Sequence, residues 1–317
     1  MKKSAYICTR FLMSGTMLRT ITLLFIMLHA TMAVVAQQHF PHDLPAGNYS
    51  GICPIGNDRY AVVSDKSEED GFFVFRLSLD TVRLRVTKAV NEGFHSSGLK
   101  NRDMEGICFF PPAQTLFISG EADNEVYEYR LDGSRTGRRL AMPAVFHRAR
   151  RNLGLESLTY DTLQHRFYTT TERPLPGDTL LRIQAFDDEL QPTKQWLYRP
   201  DAPLTLRHYH GVSELLAVGD GRLLVLERQV RVPKKKIGAS TLIRIYEVTP
   251  TSESALLQKR LVREWRTHLN LTSRKFANYE GMCQPFPGLL LLIADSQNQY
   301  KGFLRDWLLL TQVQIAD

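Results

Sequence analysis

The sequence predicts an all-β protein, a single β-propeller of five blades with about four antiparallel strands each, with six blades as the alternative. Three observations predict this fold. Apolar runs of strand length recur along the chain, long helical patterns are absent, and one hairpin pattern occurs five times, with acids at both ends in four of the copies. Successive copies, counted from positions 50, 105, 156, 214 and 280, are 55, 51, 58 and 66 residues apart, which is typical of propeller blades.

The hairpin at residues 211–228 shows the pattern most fully. An apolar run follows Glu214, a Gly-Asp-Gly turn occupies residues 219–221, and a second apolar run ends at Glu227. Both runs are almost continuously apolar, which favours strands that are buried on both faces. Because the two strands are antiparallel, the acids at the two ends of the hairpin should lie at the same edge of the sheet.

We name the residue at the start of the first strand of each copy the leading position and the residue at the end of the second strand the trailing position; most of these residues are acids. The leading residues are Ser50, Glu105, Glu156, Glu214 and Glu280. The trailing residues are Asp65, Glu121, Glu172, Glu227 and Asp295. The first strand of a propeller blade lines the central channel, so these residues should form two rings at one mouth of that channel, with Ser50 interrupting the first ring.

The remaining strands complete each copy. Their predicted ranges are, in chain order, 72–77 and 82–86, 126–131 and 139–142, 180–186 and 194–198, 242–248, and 307–313. The segment 256–265 fits either a strand or a short helix. These segments give nineteen strands, so we expect residues 37–49 to add the twentieth and to close the ring against the last blade.

The N-terminal segment has the pattern of a secretory signal, which we assign to residues 1–36, with the propeller in residues 37–317. Arg19 precedes an apolar run at 21–28, and small residues at 34–36 offer a cleavage site. The protein is therefore predicted to be periplasmic or secreted. Outside this segment no stretch reaches the roughly 20 apolar residues of a membrane span.

Charge excludes one class of partner. The formal net charge is +7. The predicted signal carries four of the 40 basic residues, which leaves 36 basic against 33 acidic residues, or about +3. Such a balance gives no support for nucleic-acid binding, so a small molecule is the expected partner of a chain that we take to be a monomer. Three cysteines occupy the same repeat position, where they are expected to be buried free thiols rather than disulfides: Cys53, Cys108 and Cys283.

Carboxylates that crowd together must be protonated, paired with arginine or bound to a cation. Oxygen ligands of this kind suit Ca²⁺. The predicted metal ligands are Glu105, Glu121, Glu156, Glu214, Glu280 and Asp295. The predicted catalytic residues are Glu172, Glu227, Arg228 and His210, and the predicted substrate-binding residues are Arg102 and Arg173. No nucleophile elbow and no zinc-protease motif occurs, so a hydrolase of this sequence would rely on water activated by a metal.

The motifs of this repeat resemble the phytase-like domain family, which is described as having esterase-like activity of phytase. The most specific are Gly-Val-Ser-Glu-Leu-Leu from residue 211, Leu-Glu-Arg from residue 226 and Asn-Tyr-Glu-Gly-Met from residue 278. The resemblance covers residues 45–315. It implies an exported bacterial propeller that hydrolyses carboxylic or phosphate esters with the help of Ca²⁺.

Two alternatives to hydrolysis stay open. A non-catalytic propeller would use the same mouth to bind a ligand or a protein. In a purely structural reading, the leading glutamates accept hydrogen bonds from the next blade and lock the ring.

Overall fold

The computed structural model describes residues 38–39, 44–234, 236–251, 255–271, 275–296, 304 and 307–314. The predicted signal at residues 1–36 lies outside this range, and its assignment stays a prediction. In the described residues the chain forms five four-stranded antiparallel sheets. The fold is therefore a five-bladed β-propeller, as predicted, and the alternative of six blades is wrong.

The strands follow the chain from the inside of each blade to its outside, and only the last blade takes a strand from elsewhere. The N-terminal strand is β1 (Gln38–His39). Blade 1 contains β2 (Tyr49–Gly56), β3 (Arg59–Ser64), β4 (Glu69–Asp80) and β5 (Arg85–Lys100). Blade 2 contains β6 (Met104–Phe110), β7 (Thr115–Gly120), β8 (Glu125–Tyr129) and β9 (Arg135–Arg139). Blade 3 contains β10 (Leu155–Asp161), β11 (Arg166–Thr171), β12 (Leu181–Phe186) and β13 (Pro192–Tyr198). Blade 4 contains β14 (Tyr209–Ala217), β15 (Leu223–Arg231), β16 (Ser240–Val248) and β17 (Lys259–His268). Blade 5 contains β18 (Asn278–Phe286), β19 (Leu289–Asp295), β20 (Trp307–Gln312) and β1.

The inner strands form a closed ring. Each of β2, β6, β10, β14 and β18 contacts the inner strand of the next blade, and β18 contacts β2. The outer edge of blade 5 is completed by β1, where Gln38 lies opposite Leu308 and His39 lies opposite Trp307. The prediction that the N-terminal segment supplies the twentieth strand is confirmed.

Three outer elements differ from the predicted ranges or resolve an ambiguity. The strand predicted at 139–142 is β9, which lies earlier in the chain and ends at Arg139. The segment near 256–265 is the strand β17 rather than a helix. The strand predicted at 82–86 begins only at Arg85 and continues to Lys100, and Val82 is 90% exposed in the turn before it. The long β5 is held at its far end by blade 2, because the ring Nδ1 of His95 lies 2.6 Å from the carbonyl oxygen of Leu131.

The hydrophobic core lies between the blades. Four clusters of buried side chains join blades 5 and 1, 1 and 2, 2 and 3, and 3 and 4. The cysteines Cys53, Cys108 and Cys283 are free and buried, as predicted, and burial raises the pKa of each thiol. Among the described residues, no helix has the length and apolar content needed to cross a membrane.

Candidate functional site

A β-bulge at the start of the inner strands places the leading residues. In blade 3, Leu155 lies opposite Thr171 and Ser157 lies opposite Thr170, so Glu156 is the extra residue between them. The same shift leaves Ser50 as the extra residue in blade 1 and Glu280 in blade 5. A bulge bends its strand and re-aims a side chain, which explains why Glu156 and Glu280 turn toward the channel mouth instead of into a blade.

Blade 4 differs from the predicted register by one residue. Val212 lies opposite Glu227 and Glu214 lies opposite Leu226, so the extra residue is Ser213. The leading residue of blade 4 is therefore Ser213 and its trailing residue is Arg228. Their separation of 15 residues matches the other blades, whereas the predicted pair had a separation of 13.

The two serine positions confirm this register, because they make the same contact. The hydroxyl of Ser50 donates to the carbonyl oxygen of Met104 at 2.7 Å, and the hydroxyl of Ser213 donates to the backbone carbonyl oxygen of Tyr279 at 3.3 Å. Met104 and Tyr279 are each the residue before the leading glutamate of the following blade. A serine at the leading position thus ties its blade to the next one.

The acids converge on a cavity of about 420 Å³ at one mouth of the channel. Its charged lining consists of Asp65, Lys66, Asp103, Glu105, Glu121, Glu156, Glu172, Arg207, Arg228, Glu280 and Asp295. The structure therefore brings together five of the six predicted metal ligands and two of the four predicted catalytic residues. Eight carboxyl groups face three cationic side chains in this lining, so the site is strongly acidic.

Arg228 bonds to three glutamates on the side of the cavity formed by blades 3 and 5. Its Nη2 lies 2.9 Å from Oε1 of Glu156 and 3.2 Å from Oε1 of Glu172, and its Nη1 bonds to Glu280. The arginine is only 6% exposed. Burial raises the pKa of Glu156 and Glu280 well above the usual value, and the charge of Arg228 acts in the opposite direction. Three blades therefore meet at one guanidinium group.

On the side formed by blades 1 and 2, three carboxyl groups lie close together and Lys66 contacts two of them. One carboxylate oxygen each from Asp65, Asp103 and Glu105 lies within 4.8 Å of the other two. The amine of Lys66 lies 2.6 Å from Oδ2 of Asp65 and 2.9 Å from Oδ1 of Asp103. Oδ1 of Asp65 is buried without a hydrogen-bond partner. Burial, followed by the negative charge of neighbouring carboxylates, raises the pKa of Glu105 well above the usual value.

Two trailing glutamates complete the lining. Oε1 of Glu121 accepts a hydrogen bond of 2.9 Å from the backbone N–H of Gly154, and burial raises the pKa of Glu121 to about 7. Glu172 accepts hydrogen bonds from Arg228 and from the hydroxyl of Tyr209. Burial raises the pKa of Glu172 even though both partners stabilise the charged form.

Glu214 and Glu227 do not lie at the mouth, and this part of the prediction is wrong. A shift of one residue in a strand moves a side chain to the other face of the sheet. Glu214 is 1% exposed and its Oε1 accepts hydrogen bonds from the backbone N–H groups of Leu158 at 3.3 Å and Leu215 at 3.0 Å. Glu227 instead lies 2.6 Å from the amine of Lys259.

His210, Arg102 and Arg173 are also absent from the cavity lining. The guanidinium of Arg102 is engaged by Asp123 at 2.8 Å and by the carbonyl oxygen of Ile118 at 3.1 Å. Arg173 donates to the carbonyl oxygen of His210 at 2.9 Å. Burial lowers the pKa of His210.

Sequence reasoning overlooked several lining residues: Lys66, Asp103, Asn152, Arg207, Tyr209, Val230, Val232 and Asn278. For three of them a signal was present. Lys66 directly follows a trailing acid, Asp103 lies two residues before a leading acid, and Asn278 belongs to the Asn-Tyr-Glu motif. Tyr209, Val230 and Val232 of blade 4 had no such signal, because they lie outside the part of β14 and β15 that matches the repeat.

Comparison with known families identifies the chain. The family model described as "Esterase-like activity of phytase" matches residues 44–295. The chain belongs to the phytase-like family. The match includes every carboxylate of the cavity, so the acidic mouth lies wholly within the part of the chain that defines this phytase-like protein.

Comparison of the phytase-like chain with curated proteins found no match. Among solved structures, a protein of unknown function from Bacteroides thetaiotaomicron VPI-5482 is similar, with 10% identity, 88% of this chain and 72% of that chain covered, and a TM-score of 0.43. The nidogen/laminin complex gives 12% identity, 79% and 73% coverage, and a TM-score of 0.40. Kuenenia stuttgartiensis hydrazine synthase gives 9% identity, coverage of 88% of this chain and 90% of that chain, and a TM-score of 0.38. Similarities this low carry no information about activity.

Proposed function

We propose that this member of the phytase-like family is an exported hydrolase of carboxylic or phosphate esters that works in the acidic cavity with a bound divalent cation. The observation that carries the proposal is the convergence of eight carboxyl groups on one concave mouth of about 420 Å³. Ligand sites in proteins are typically clefts of this size with a few convergent polar groups. Membership of the family supports hydrolysis of esters in general.

The donor set of the cavity fits a hard cation. Asp65, Asp103 and Glu105 offer three carboxylate oxygens within 4.8 Å of one another, and Oδ1 of Asp65 has no hydrogen-bond partner. Ca²⁺ takes carboxylate and amide oxygens in irregular arrangements, so it is the cation that we assign to these residues. When bound, such a cation polarises an ester oxygen.

The residues of the chain itself supply the remaining requirements. Glu121 lines the cavity, and a group of this kind can accept and return a proton. Lys66 holds Asp65 and Asp103 in place and balances part of their charge. Arg228 fixes Glu156, Glu172 and Glu280, which therefore serve mainly to hold the mouth together, in line with the structural alternative for these acids.

Export through a signal at residues 1–36 belongs to the same proposal. Cleavage before Gln37 would leave β1 in the mature chain, where it completes the last blade. A mature N-terminus determined by mass spectrometry after expression in a bacterium with a secretion pathway tests this part. A mature chain that still begins at Met1 would contradict it.

The decisive experiment combines binding and turnover. Purified protein is freed of metal with a chelator and titrated with Ca²⁺ while its melting temperature is followed, and hydrolysis of aryl carboxylate and aryl phosphate esters is measured in parallel. We expect Ca²⁺ to raise the melting temperature of the wild type and to restore turnover. Glu105→Gln should need at least tenfold more Ca²⁺ both for the rise in melting temperature and for turnover. The control Glu189→Gln, at an exposed turn, should respond to Ca²⁺ like the wild type.

Two results would decide against the proposal. Turnover that persists in the presence of the chelator would show that hydrolysis does not need a bound cation. A Ca²⁺-dependent rise in melting temperature without turnover of any ester would favour the non-catalytic ligand-binding propeller instead.

A further inference from the structure

Blade 4 extends beyond the mouth of the channel, unlike the other blades. Its inner strand β14 begins at Tyr209, four residues before the leading Ser213, and β15 continues to Arg231, three residues after the trailing Arg228. In blades 1, 2 and 3 the inner strand begins one residue before the leading position, and the second strand ends one residue before the trailing position. The extension therefore forms a wall on one side of the acidic cavity.

This wall carries the apolar part of the cavity lining. Tyr209 and Val230 lie opposite each other in the β14–β15 pair, and Val232 follows the end of β15. In the described part of the chain, these three residues are the only apolar or aromatic side chains that line the cavity. Val232 is 39% exposed and Tyr209 is 42% exposed, so both present surface that a ligand can cover.

The tyrosine of the wall is held in place. Its hydroxyl donates to Oε2 of Glu172, and the guanidinium of Arg173 lies 4.2 Å from the centre of its ring. A side chain fixed in this way loses little conformational entropy when a ligand packs on it. Arg173, which sequence analysis assigned to substrate binding, thus acts on the cavity through Tyr209.

The charges of the cavity restrict what can lie beside this wall. Eight carboxyl groups face three cations, and two of these cations, Lys66 and Arg228, are already bonded to carboxylates. Arg207 is the remaining cation of the described lining. Arg207 and one bound divalent ion would offer few cationic partners to a ligand with many phosphate groups, so such a ligand would bind weakly.

We propose, on the basis of the function proposed above, that the substrates are esters of low charge that carry an aryl or alkyl group. The ester group faces Asp65, Asp103 and Glu105 on the side of blades 1 and 2, and the aryl or alkyl group packs on Tyr209 and Val232. The wall then determines specificity. Substrates with many phosphate groups, such as phytate, are excluded.

Calorimetric titration with non-hydrolysable phosphonates tests the wall without any need for turnover. Phenylphosphonate and methylphosphonate share one anionic head and differ in the apolar group, and phytate serves as the polyanion. In the presence of Ca²⁺ the wild type should bind phenylphosphonate about tenfold more tightly than methylphosphonate, because the ring removes apolar surface from water. Phytate should bind at least tenfold more weakly than phenylphosphonate.

A matched pair of variants localises the effect. Val232→Ser should reduce the preference for phenylphosphonate to about threefold or less. Val82→Ser, the same change at a 90% exposed position in the β4–β5 turn, should leave it intact. Neither side chain is buried, so both variants should fold.

The outcomes separate this inference from the proposed function. Three results would contradict the proposed apolar wall. The preference for phenylphosphonate could survive in Val232→Ser, both phosphonates could fail to bind, or phytate could bind as tightly as phenylphosphonate. A preference that is lost only in Val232→Ser supports it. Absence of ester turnover in a protein that shows this preference would reject hydrolysis while leaving the apolar wall as a ligand site.

Discussion

Replacing Arg228 by glutamine is expected to destabilise the propeller strongly and in a pH-dependent manner. The variant keeps a polar side chain of similar length but removes the charge that lies 2.9 Å from Glu156 and 3.2 Å from Glu172 and that also bonds to Glu280. Removing one partner from a buried ion pair costs about 3–5 kcal/mol, because the remaining charge stays buried without compensation. We expect a loss of about 4 kcal/mol near neutral pH.

The direction of the pH dependence follows from the pKa values of these carboxyl groups. Burial already raises the pKa of Glu156 and Glu280 in the wild type, and Arg228 opposes the rise. Without Arg228 each pKa rises further. A carboxyl group whose pKa is raised in the folded state favours folding at low pH and loses that contribution as the pH rises through the folded pKa. The deficit of the variant should therefore be smallest in acid and largest above neutral pH.

Urea unfolding of both proteins in the presence of a chelator, at about pH 5 and about pH 8, measures this deficit. Arg83→Gln is the control, because Arg83 forms an ion pair of 3.3 Å with Asp80 at the surface, where such pairs contribute less than about 1 kcal/mol. A loss of less than about 1.5 kcal/mol near pH 8, or an equal loss at the two pH values, would refute the argument that Arg228 compensates the buried acids.

Three further predictions concern other contacts. Glu121→Gln should flatten the pH dependence of stability, because the pKa of Glu121 is raised from 4.5 to about 7. In urea titrations with a chelator, the free energy of unfolding of the wild type should fall by about 2–3 kcal/mol between about pH 5 and pH 8, and the variant should not show this fall. Gly106→Ala should lower the stability measured by urea unfolding by about 1–3 kcal/mol, because an added Cβ would lie 2.5 Å from the backbone nitrogen of Leu158 in the next blade. Lys259→Met should lower the melting temperature, because it leaves Glu227 and Asp201 without the amine that lies 2.6 and 2.7 Å from them. An unchanged melting temperature would show that the hydroxyl of Tyr198 and the backbone N–H of Asp201 suffice for Glu227.

Much of the fold could be predicted from the sequence because a propeller repeats one local pattern. The paired acids and the continuous apolar runs recur in each copy, so the number of blades and the closing strand follow from counting. The predictable part of the site has the same origin: Glu105, Glu156 and Glu280 occupy equivalent positions, and the rotational arrangement of the blades brings them to one mouth.

What could not be predicted depends on local exceptions to the repeat. In blade 4 both the sequence Ser-Glu at 213–214 and the sequence Glu-Arg at 227–228 offer an acid next to the equivalent position. Identity alone selects the glutamates, whereas the hydrogen-bond register selects Ser213 and Arg228. The apolar wall could not be predicted for a similar reason. The pairing of β14 with β15, and not the repeat, determines how far these two strands extend beyond the mouth.

The exception in blade 4 gives the mouth its polarity. A trailing acid at position 228 would have made a nearly symmetric ring of carboxylates, in which no side differs from another. With an arginine there, Glu156, Glu172 and Glu280 share one guanidinium group. On the other side Asp65, Asp103 and Glu105 lie close together, and Lys66 contacts only the two aspartates. The same blade carries the apolar wall. Blade 4 thus supplies both Arg228 and the apolar surface of the cavity, and in our proposal the cation is held on the opposite side, by Asp65, Asp103 and Glu105.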